Sequence, residues 1–124
     1  MKKNKISKNW INKQKRDIYV RQSKLEGYRS RAVYKLQEIQ TKFKVINNGM
    51  SIVDLGAAPG SWSEFISRKF KNIKLVAIDL KELDKIEKVT HIKGDFTDEI
   101  IQKKIEKNFD KKIDLVVSDM AVNT

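Results

Sequence analysis

The segment from Ile52 to Trp62 joins a short apolar run to a loop of small residues, in the order Ile-Val-Asp-Leu-Gly-Ala-Ala-Pro-Gly-Ser-Trp. Gly56 and Gly60 leave the backbone amides of such a loop accessible to a ligand. A helix that begins after the loop favours a carboxylate or phosphate at its start. We therefore predict a binding loop for an anionic group of a nucleotide-like ligand. The spacing matches neither the dinucleotide pattern nor the Walker pattern, which disfavours NAD and ATP.

Three aspartates, Asp79, Asp95 and Asp119, each follow an apolar run of the chain. Taken alone, each is compatible with an ordinary turn residue. In an open parallel α/β sheet, however, ligands bind outside the carboxyl ends of the strands. An acid that follows Gly60 by 19 residues, as Asp79 does, can accept hydrogen bonds from ribose hydroxyls in this topology. Together the three positions predict one ligand-binding crevice.

The elements that must position these residues follow from the pattern after residue 50. Short apolar runs predict strands near 51–55, 74–79, 89–92 and 113–118. Helical stretches separate the runs, which predicts an α/β fold with a mostly parallel sheet. Ser61 and Glu64 predict a capping box at the first intervening helix, and Thr97 predicts the cap of the last one.

A further helix is predicted before the sheet, over about 31–46, because apolar residues recur at helical spacing from Val33 to Phe43. Ser30 is its expected N-cap. Lys35 lies on this helix, where its simplest interpretation is a solvated lysine that pairs with Glu38.

Charge is distributed unevenly along the chain, which has a net charge of +11. Residues 1–48 hold 14 basic and 3 acidic side chains, whereas residues 49–124 hold 13 of each. We therefore divide the chain into a basic N-terminal arm (residues 1–29) and a domain (residues 30–124). A basic segment beside a neutral domain indicates a polyanionic partner. Nucleic acid is favoured over a membrane because the arm has no amphipathic apolar face.

Composition excludes other classes of site. The chain has no cysteine and one histidine, His91, so we expect no thiolate-ligated or histidine-rich metal site. Its longest apolar run is Leu75 to Ile78, far shorter than the roughly 20 residues that span a bilayer. We expect a soluble, cytoplasmic protein.

Five motifs carry a family resemblance: Arg29-Ser30-Arg31-Ala32-Val33-Tyr34-Lys35-Leu36, Asp54 to Trp62, Ile78-Asp79-Leu80, Gly94-Asp95-Phe96 and Ser118-Asp119-Met120-Ala121. In this order and spacing they resemble FtsJ/RrmJ-type RNA 2'-O-methyltransferases, from about residue 17 to the end. The resemblance implies a Rossmann-like, S-adenosylmethionine-dependent methyltransferase fold with its first four strands present. Bacterial members methylate a uridine ribose of large-subunit ribosomal RNA. The resemblance therefore implies S-adenosylmethionine as the cofactor. It also implies large-subunit ribosomal RNA, or the 50S-type ribosomal subunit, as the partner.

The resemblance also implies which residues bind the cofactor. Gly60 and Trp62 would lie against its methionine part, although a helix tryptophan is more often a core residue. Asp79 would lie at the ribose and Asp95 near the adenine. Asp119 would complete the cofactor-binding set.

Catalytic and RNA-binding residues are implied in the same way. Lys35 and Asp119 match the first two members of a Lys-Asp-Lys-Glu set associated with methyl transfer. Such a lysine helps the ribose hydroxyl lose its proton only where burial or neighbouring charge lowers the lysine pKa, and the aspartate would orient it. Arg29 and Arg31 are the implied RNA-positioning residues.

The second lysine and the glutamate of that set are expected on strands after Thr124, within on the order of 65 further residues. We therefore expect a fragment or truncated reading frame of a protein that is monomeric when complete. Three alternatives stay open: a catalytically incomplete protein that binds RNA and S-adenosylmethionine, a tRNA 2'-O-methyltransferase of the same family, and a small-molecule methyltransferase.

Overall fold

The structure, a computed structural model, describes residues 26–119 and alternates strands with helices. Its elements are α1 (Val33–Phe43), β1 (Ser51–Leu55), α2 (Ser61–Lys69), β2 (Lys74–Asp79), β3 (Val89–Lys93), α3 (Glu99–Lys107) and β4 (Leu115–Ser118). The four strands are parallel and lie in the order β3-β2-β1-β4. The predicted α/β fold with a parallel sheet is confirmed.

The register of the sheet brings the carboxyl ends of the four strands to one edge. Leu55, the last residue of β1, is paired with Ile78 of β2 and with Ser118 of β4. Asp79, the last residue of β2, is paired with Lys93 at the end of β3. The segments after the strands therefore leave the sheet side by side.

Successive residues of a strand point to opposite faces of the sheet, so the apolar runs place apolar side chains on both faces. Helices cover both of these faces. One cluster packs α1 and α2 against the sheet through Val33, Leu36, Ile46, Ile52, Trp62, Phe65, Ile66 and Leu75. The other packs α3 against the opposite face through Val53, Val76, Ile78, Ile101 and Ile105. Burial of one such aliphatic side chain stabilises a fold by roughly 1.5–3 kcal/mol. The sheet edge that carries the aspartates is thus fixed by a layer of helix on each side.

Tyr28, which falls in the predicted basic arm, is 8% exposed and belongs to the cluster under α1 and α2. Residues 1–25 lie outside the described residues, so the interpretation of that segment as an RNA-binding arm stays a prediction. None of the helices described within residues 26–119 has the length and apolar character needed to cross a bilayer.

The beginning and end of α1 differ from the prediction. Ala32 occupies the N-cap position, and no side chain caps the helix. The Ser30 hydroxyl instead accepts a hydrogen bond from the Ala32 amide at 3.3 Å, within the turn that precedes the helix. Lys44 ends the helix with a left-handed φ of 50°. The predicted helix over 31–46 was therefore too long at both ends, and Ser30 as its N-cap was wrong.

Two other predicted caps were wrong as well. Gly60 is the N-cap of α2 and the helix has no side-chain cap. The capping box is absent because Ser61 lies inside the helix, and the Glu64 carboxylate instead accepts a hydrogen bond from the Arg29 amide at 2.9 Å. At α3, Asp98 caps the helix by accepting from the Ile100 amide, whereas the Thr97 hydroxyl donates to Asp95.

Candidate active site

The loop between β1 and α2, residues 56–60, has two glycines with positive φ, Gly56 and Gly60. Gly60 has a φ of +112°, which side-chain-bearing residues rarely adopt. A Cβ atom at Gly60 would lie 2.8 Å from Ile86 Cδ1 and 3.2 Å from an Arg29 guanidinium nitrogen. Since the position is both left-handed and closely packed, only glycine fits it without strain. The loop is followed directly by the first turn of α2, as predicted for an anion-binding loop.

Asp79 ties the end of β2 to this loop. Its Oδ2 atom accepts a hydrogen bond from the Ala58 amide at 2.9 Å, and its Oδ1 atom accepts one from the Lys81 amide at 2.8 Å. The Ala57 amide donates to the Ile78 carbonyl at 3.0 Å. The carboxylate therefore lies between the loop and the segment after β2, and its remaining lone pairs can accept further donors.

Asp95 lies in the exposed segment after β3. Its Oδ1 atom accepts hydrogen bonds from the Thr97 hydroxyl at 2.7 Å and the Thr97 amide at 2.9 Å. These bonds hold the pKa of the Asp95 carboxyl below its usual range, which favours the charged form. A small, mainly apolar cleft of about 190 Å³ is lined by Gly56, Ile78, Asp79, Leu80, Gly94, Asp95 and Phe96.

Lys35 and Asp119 come together at the same edge of the sheet. The Lys35 ammonium lies 3.2 Å from Asp119 Oδ1, which joins α1 to the end of β4. The Lys35 side chain is 65% exposed and that of Asp119 is 33% exposed. Within residues 26–119, Lys35 thus forms its ion pair with Asp119 rather than with Glu38.

Asp54, in the middle of β1, is a buried acid whose role sequence analysis missed. It is 1% exposed, and its Oδ2 atom accepts a hydrogen bond from the Ser63 hydroxyl at 2.8 Å. Burial raises the pKa of Asp54 to about 7; the bond from Ser63 opposes this shift, and the nearby carboxylates of Asp119 and Asp79 add to it. The signal was an acid inside an otherwise apolar strand, which a parallel strand buried on both faces rarely contains.

Trp62 lies in the core with its indole 5% exposed. The indole N–H donates to the Ala32 carbonyl at 2.7 Å, immediately before α1 begins. The side chain therefore fixes α1 against α2. A contact between Trp62 and the methionine part of a cofactor stays a prediction, and the packing of the indole gives no support for it.

The two arginines before α1 have different environments. The Arg29 guanidinium donates to the carbonyls of Pro59, Asp84 and Lys85 at 3.1, 2.8 and 3.0 Å. Its side chain is 22% exposed. Because these donors are engaged within the fold, the structure gives no support for Arg29 as an RNA-positioning residue, and that role stays a prediction. Arg31 is exposed and fits that role better.

The carboxylates of Asp79 and Asp119 both lie near Asp54, and Asp79 and Asp95 line one cleft. The predicted convergence of acids at the carboxyl edge is therefore present in the structure. The site combines an open loop, an apolar cleft with two carboxylates and, beside it, a lysine–aspartate pair. What each group does chemically is a prediction.

Comparison with known proteins identifies the family. Residues 28–124 match the model of the FtsJ-like methyltransferases. Over 124 residues the chain is 64% identical to the ribosomal RNA large subunit methyltransferase E of Pelagibacter ubique (strain HTCC1062). The aligned region covers 100% of this chain and 61% of that protein. The protein of the same name from Pseudomonas fluorescens (strain Pf0-1) is 48% identical over 125 residues, with 99% of this chain and 60% of that protein covered.

A crystal structure of a Plasmodium falciparum protein described as a ribosomal RNA methyltransferase has a TM-score of 0.69 and 36% identity to this chain. The match covers 78% of this chain and 58% of that one. The chain spans about 60% of the length of the curated relatives above. Since the family model matches well over half of its residues, the chain belongs to the FtsJ-like methyltransferase family.

Proposed function

We propose that the chain is, or is part of, an RNA ribose 2'-O-methyltransferase that transfers methyl from S-adenosylmethionine to a uridine of large-subunit ribosomal RNA. The observation that carries the proposal is the 3.2 Å pair of Lys35 and Asp119 at the sheet edge where the glycine loop also lies. Two relatives, at 64% and 48% identity, are named ribosomal RNA large subunit methyltransferase E, which supports this class of substrate.

Methyltransferases use a methyl donor, and the crevice fits S-adenosylmethionine in three respects. The mainly apolar cleft of about 190 Å³ suits an adenine ring. Asp79 has free lone pairs for ribose hydroxyls, and the charged Asp95 can accept from an adenine amine. The open loop ending at Gly60 suits the carboxylate of the methionine part, because the start of a helix favours an anion.

When bound, S-adenosylmethionine supplies an electrophilic sulfonium methyl. The residues of the chain would act on the nucleophile. The Lys35 ammonium, oriented by Asp119, would stabilise the ribose oxygen as negative charge develops on it, and the hydroxyl proton would pass to solvent. Asp119 is held at the end of β4 by pairing of that strand with β1. The sheet therefore fixes the backbone position of Asp119.

RNA would reach this pair along α1. Arg31 is exposed and precedes Lys35 by four residues. The segment of residues 1–25, which is rich in basic side chains, comes before it in the sequence. Such side chains neutralise phosphates, so we expect RNA affinity to fall by roughly 0.7 log units per log unit of salt for each single-strand contact. The 50S-type subunit as partner, the monomeric state and a cytoplasmic location stay predictions.

Two experiments test the proposal on this chain. Calorimetry measures S-adenosylmethionine binding, and a transfer assay with methyl-labelled cofactor measures methylation of large-subunit ribosomal RNA, with nuclease mapping of the 2'-O-methyl group. Labelled 2'-O-methyluridine in ribosomal RNA supports the proposal. A folded sample that binds no cofactor contradicts the assignment of the crevice.

The same assay separates the alternatives. A catalytically incomplete protein would bind RNA and cofactor without transfer. A tRNA enzyme of the family would label tRNA in preference to ribosomal RNA. A small-molecule methyltransferase would label a small acceptor, and RNA would not compete.

A further inference from the structure

Arg29 lies where three separate segments of the chain meet. Its guanidinium donates to Pro59 in the glycine loop and to two carbonyls of the segment after β2, those of Asp84 and Lys85. Its own backbone amide donates to the Glu64 carboxylate on α2, and its Nε atom lies 3.6 Å from that carboxylate. One side chain thus fixes the loop, the segment after β2 and the chain entering α1.

We propose that Arg29 is a positioning residue of the cofactor loop rather than a contact for RNA. This inference rests on the proposed function, because it assigns Arg29 to the binding of the methyl donor. Arg29 need not touch the donor. It acts through the loop conformation that presents the amides at the start of α2.

The contacts of Arg29 explain why the loop can keep its unusual backbone. The Pro59 carbonyl, which Arg29 binds, directly precedes Gly60 with its φ of +112°. The guanidinium also packs against Gly60, since a Cβ there would lie 3.2 Å from it. On the other side, Asp79 holds the Ala58 amide. The loop is therefore held at two adjacent residues: Asp79 accepts from the Ala58 amide, and Arg29 donates to the Pro59 carbonyl.

The same contacts connect the loop to the lysine that is expected to act in transfer. Next to Arg29, the Ser30 hydroxyl pairs with the Ser61 hydroxyl at 2.9 Å, and α1 begins at Val33. Lys35 is in the first turn of that helix. Displacement of Arg29 would therefore loosen the loop and the start of the Lys35 helix together, whereas loss of an RNA contact would alter neither.

Arginine is required here for its shape. A guanidinium presents five N–H donors in a planar fork, whereas a lysine ammonium has three donors on one flexible atom. A lysine at position 29 keeps the positive charge available to phosphates but cannot reach three carbonyls on separate segments in the same way. Arg29→Lys therefore separates geometry from charge.

The experiment compares Arg29→Lys with Arg68→Lys. Arg68 makes contacts of the same kind, to the carbonyls of Glu26 and Gly27 and to Glu64, and its hydrogen bonds found within residues 26–119 do not include the glycine loop. We expect Arg29→Lys to raise the dissociation constant for S-adenosylmethionine by about tenfold or more, since small displacements of a binding element are costly. We expect Arg68→Lys to leave it unchanged even if the two variants lose similar stability.

Two further measurements make the outcome decisive. RNA affinity of Arg29→Lys should stay within about twofold of the wild type, with the same salt slope. Amide hydrogen exchange at Ala57 and Ala58, both hydrogen-bonded in the loop, should accelerate in Arg29→Lys but not in Arg68→Lys.

The possible results are distinct. The inference is overturned if Arg29→Lys binds the cofactor as tightly as the wild type and its amide hydrogen exchange at Ala57 and Ala58 is unchanged. It is also overturned if Arg29→Lys loses RNA affinity while its cofactor affinity stays intact. If the wild type itself binds no cofactor, the proposed function fails. The exchange rates at Ala57 and Ala58 then still decide whether Arg29 positions the loop.

Discussion

The Lys35 ammonium lies 3.2 Å from the Asp119 carboxylate, although the two residues are 84 positions apart in the chain. Both side chains are substantially exposed, and ion pairs of that kind contribute about 0–1 kcal/mol to stability. The pair therefore adds little to the folding of α1 against β4. The role proposed above, chemistry on a bound substrate, would account for its position at the carboxyl edge of the sheet.

Replacement of Lys35 should separate activity from folding. We expect Lys35→Ala to lower the rate of methyl transfer by roughly 10²–10³-fold, the usual cost of removing one group that stabilises a developing negative charge. The midpoint of urea unfolding and the affinity for S-adenosylmethionine should stay unchanged, because the side chain is 65% exposed.

Lys42→Ala, on the same helix and also exposed, is the matched control and should keep the wild-type rate. A transfer rate that Lys35→Ala does not reduce would exclude Lys35 from the reaction.

The second prediction concerns Asp79, whose two oxygens accept from two backbone amides. Asn at this position has one acceptor oxygen and presents an NH₂ group to the other amide. We expect Asp79→Asn to lower the free energy of unfolding by about 1–3 kcal/mol, as for loss of a hydrogen bond to a charged group. Cofactor affinity should fall as well, because Ala58 in the loop is one of the two donors.

Urea unfolding and calorimetry measure both effects. Asp84→Asn is a suitable control, since Asp84 contributes its backbone carbonyl, and not its carboxylate, to the hydrogen bonds found within residues 26–119. Equal losses of unfolding free energy and cofactor affinity in the two variants would show that the removed charge is responsible, and not the two hydrogen bonds that Asp79 accepts.

The third prediction concerns Gly94, which lines the small cleft beside Asp79 and Asp95. A Cβ atom here would lie 2.9 Å from Ile101 Cγ1 and also meet its Cδ1 atom. We expect Gly94→Ala to destabilise the fold by about 1–3 kcal/mol through overpacking. Ile101→Val removes Cδ1 and should recover part of that loss.

A double-mutant cycle by urea unfolding tests this contact. The double variant should lose less free energy of unfolding than the two single variants lose in sum. Strict additivity would show that Gly94 and Ile101 do not compete for the same space.

The two central strands, β1 and β2, were predictable because each contains a short apolar run, as expected of parallel strands buried on both faces. The edge strand β3 has a weaker signal, since Thr90 and His91 interrupt its apolar residues. The meeting of Asp79, Asp95 and Asp119 at one edge followed from the general rule for open α/β sheets. The pairing of Lys35 with Asp119 did not follow from spacing. It came from the family resemblance, since 84 positions separate the two residues.

The errors have a common physical cause, which is that residue type does not specify the partner of a polar group. Ser30 and Thr97 are good helix caps by type, yet their hydroxyls bond elsewhere in adjacent turns. The partners of the Arg29 guanidinium, which are backbone carbonyls, were likewise not predictable from its residue type. Such orientations depend on tertiary contacts that a local pattern does not contain.

The last prediction concerns the pH dependence of stability and rests on Asp54. Its pKa is raised from 3.8 to about 7 in the folded protein, mainly by burial. Between these values the folded state binds a proton that the unfolded state has lost. The contribution of Asp54 to stability is therefore full below about pH 4 and is lost as the pH rises towards about 7, with a slope of up to about 1.4 kcal/mol per pH unit.

Asp54→Asn should abolish this slope, because the amide is neutral at every pH and its oxygen can still accept from Ser63. We expect the free energy of unfolding of the wild type, minus that of Asp54→Asn, to decrease between about pH 4 and pH 7 and then level off. Urea titrations across this range measure the difference. Asp110→Asn, an exposed site after α3, controls for the loss of one negative charge. Parallel curves for the wild type and Asp54→Asn would mean that Asp54 is already ionised in the fold at low pH, and that Ser63 and the start of α2 stabilise a buried charge.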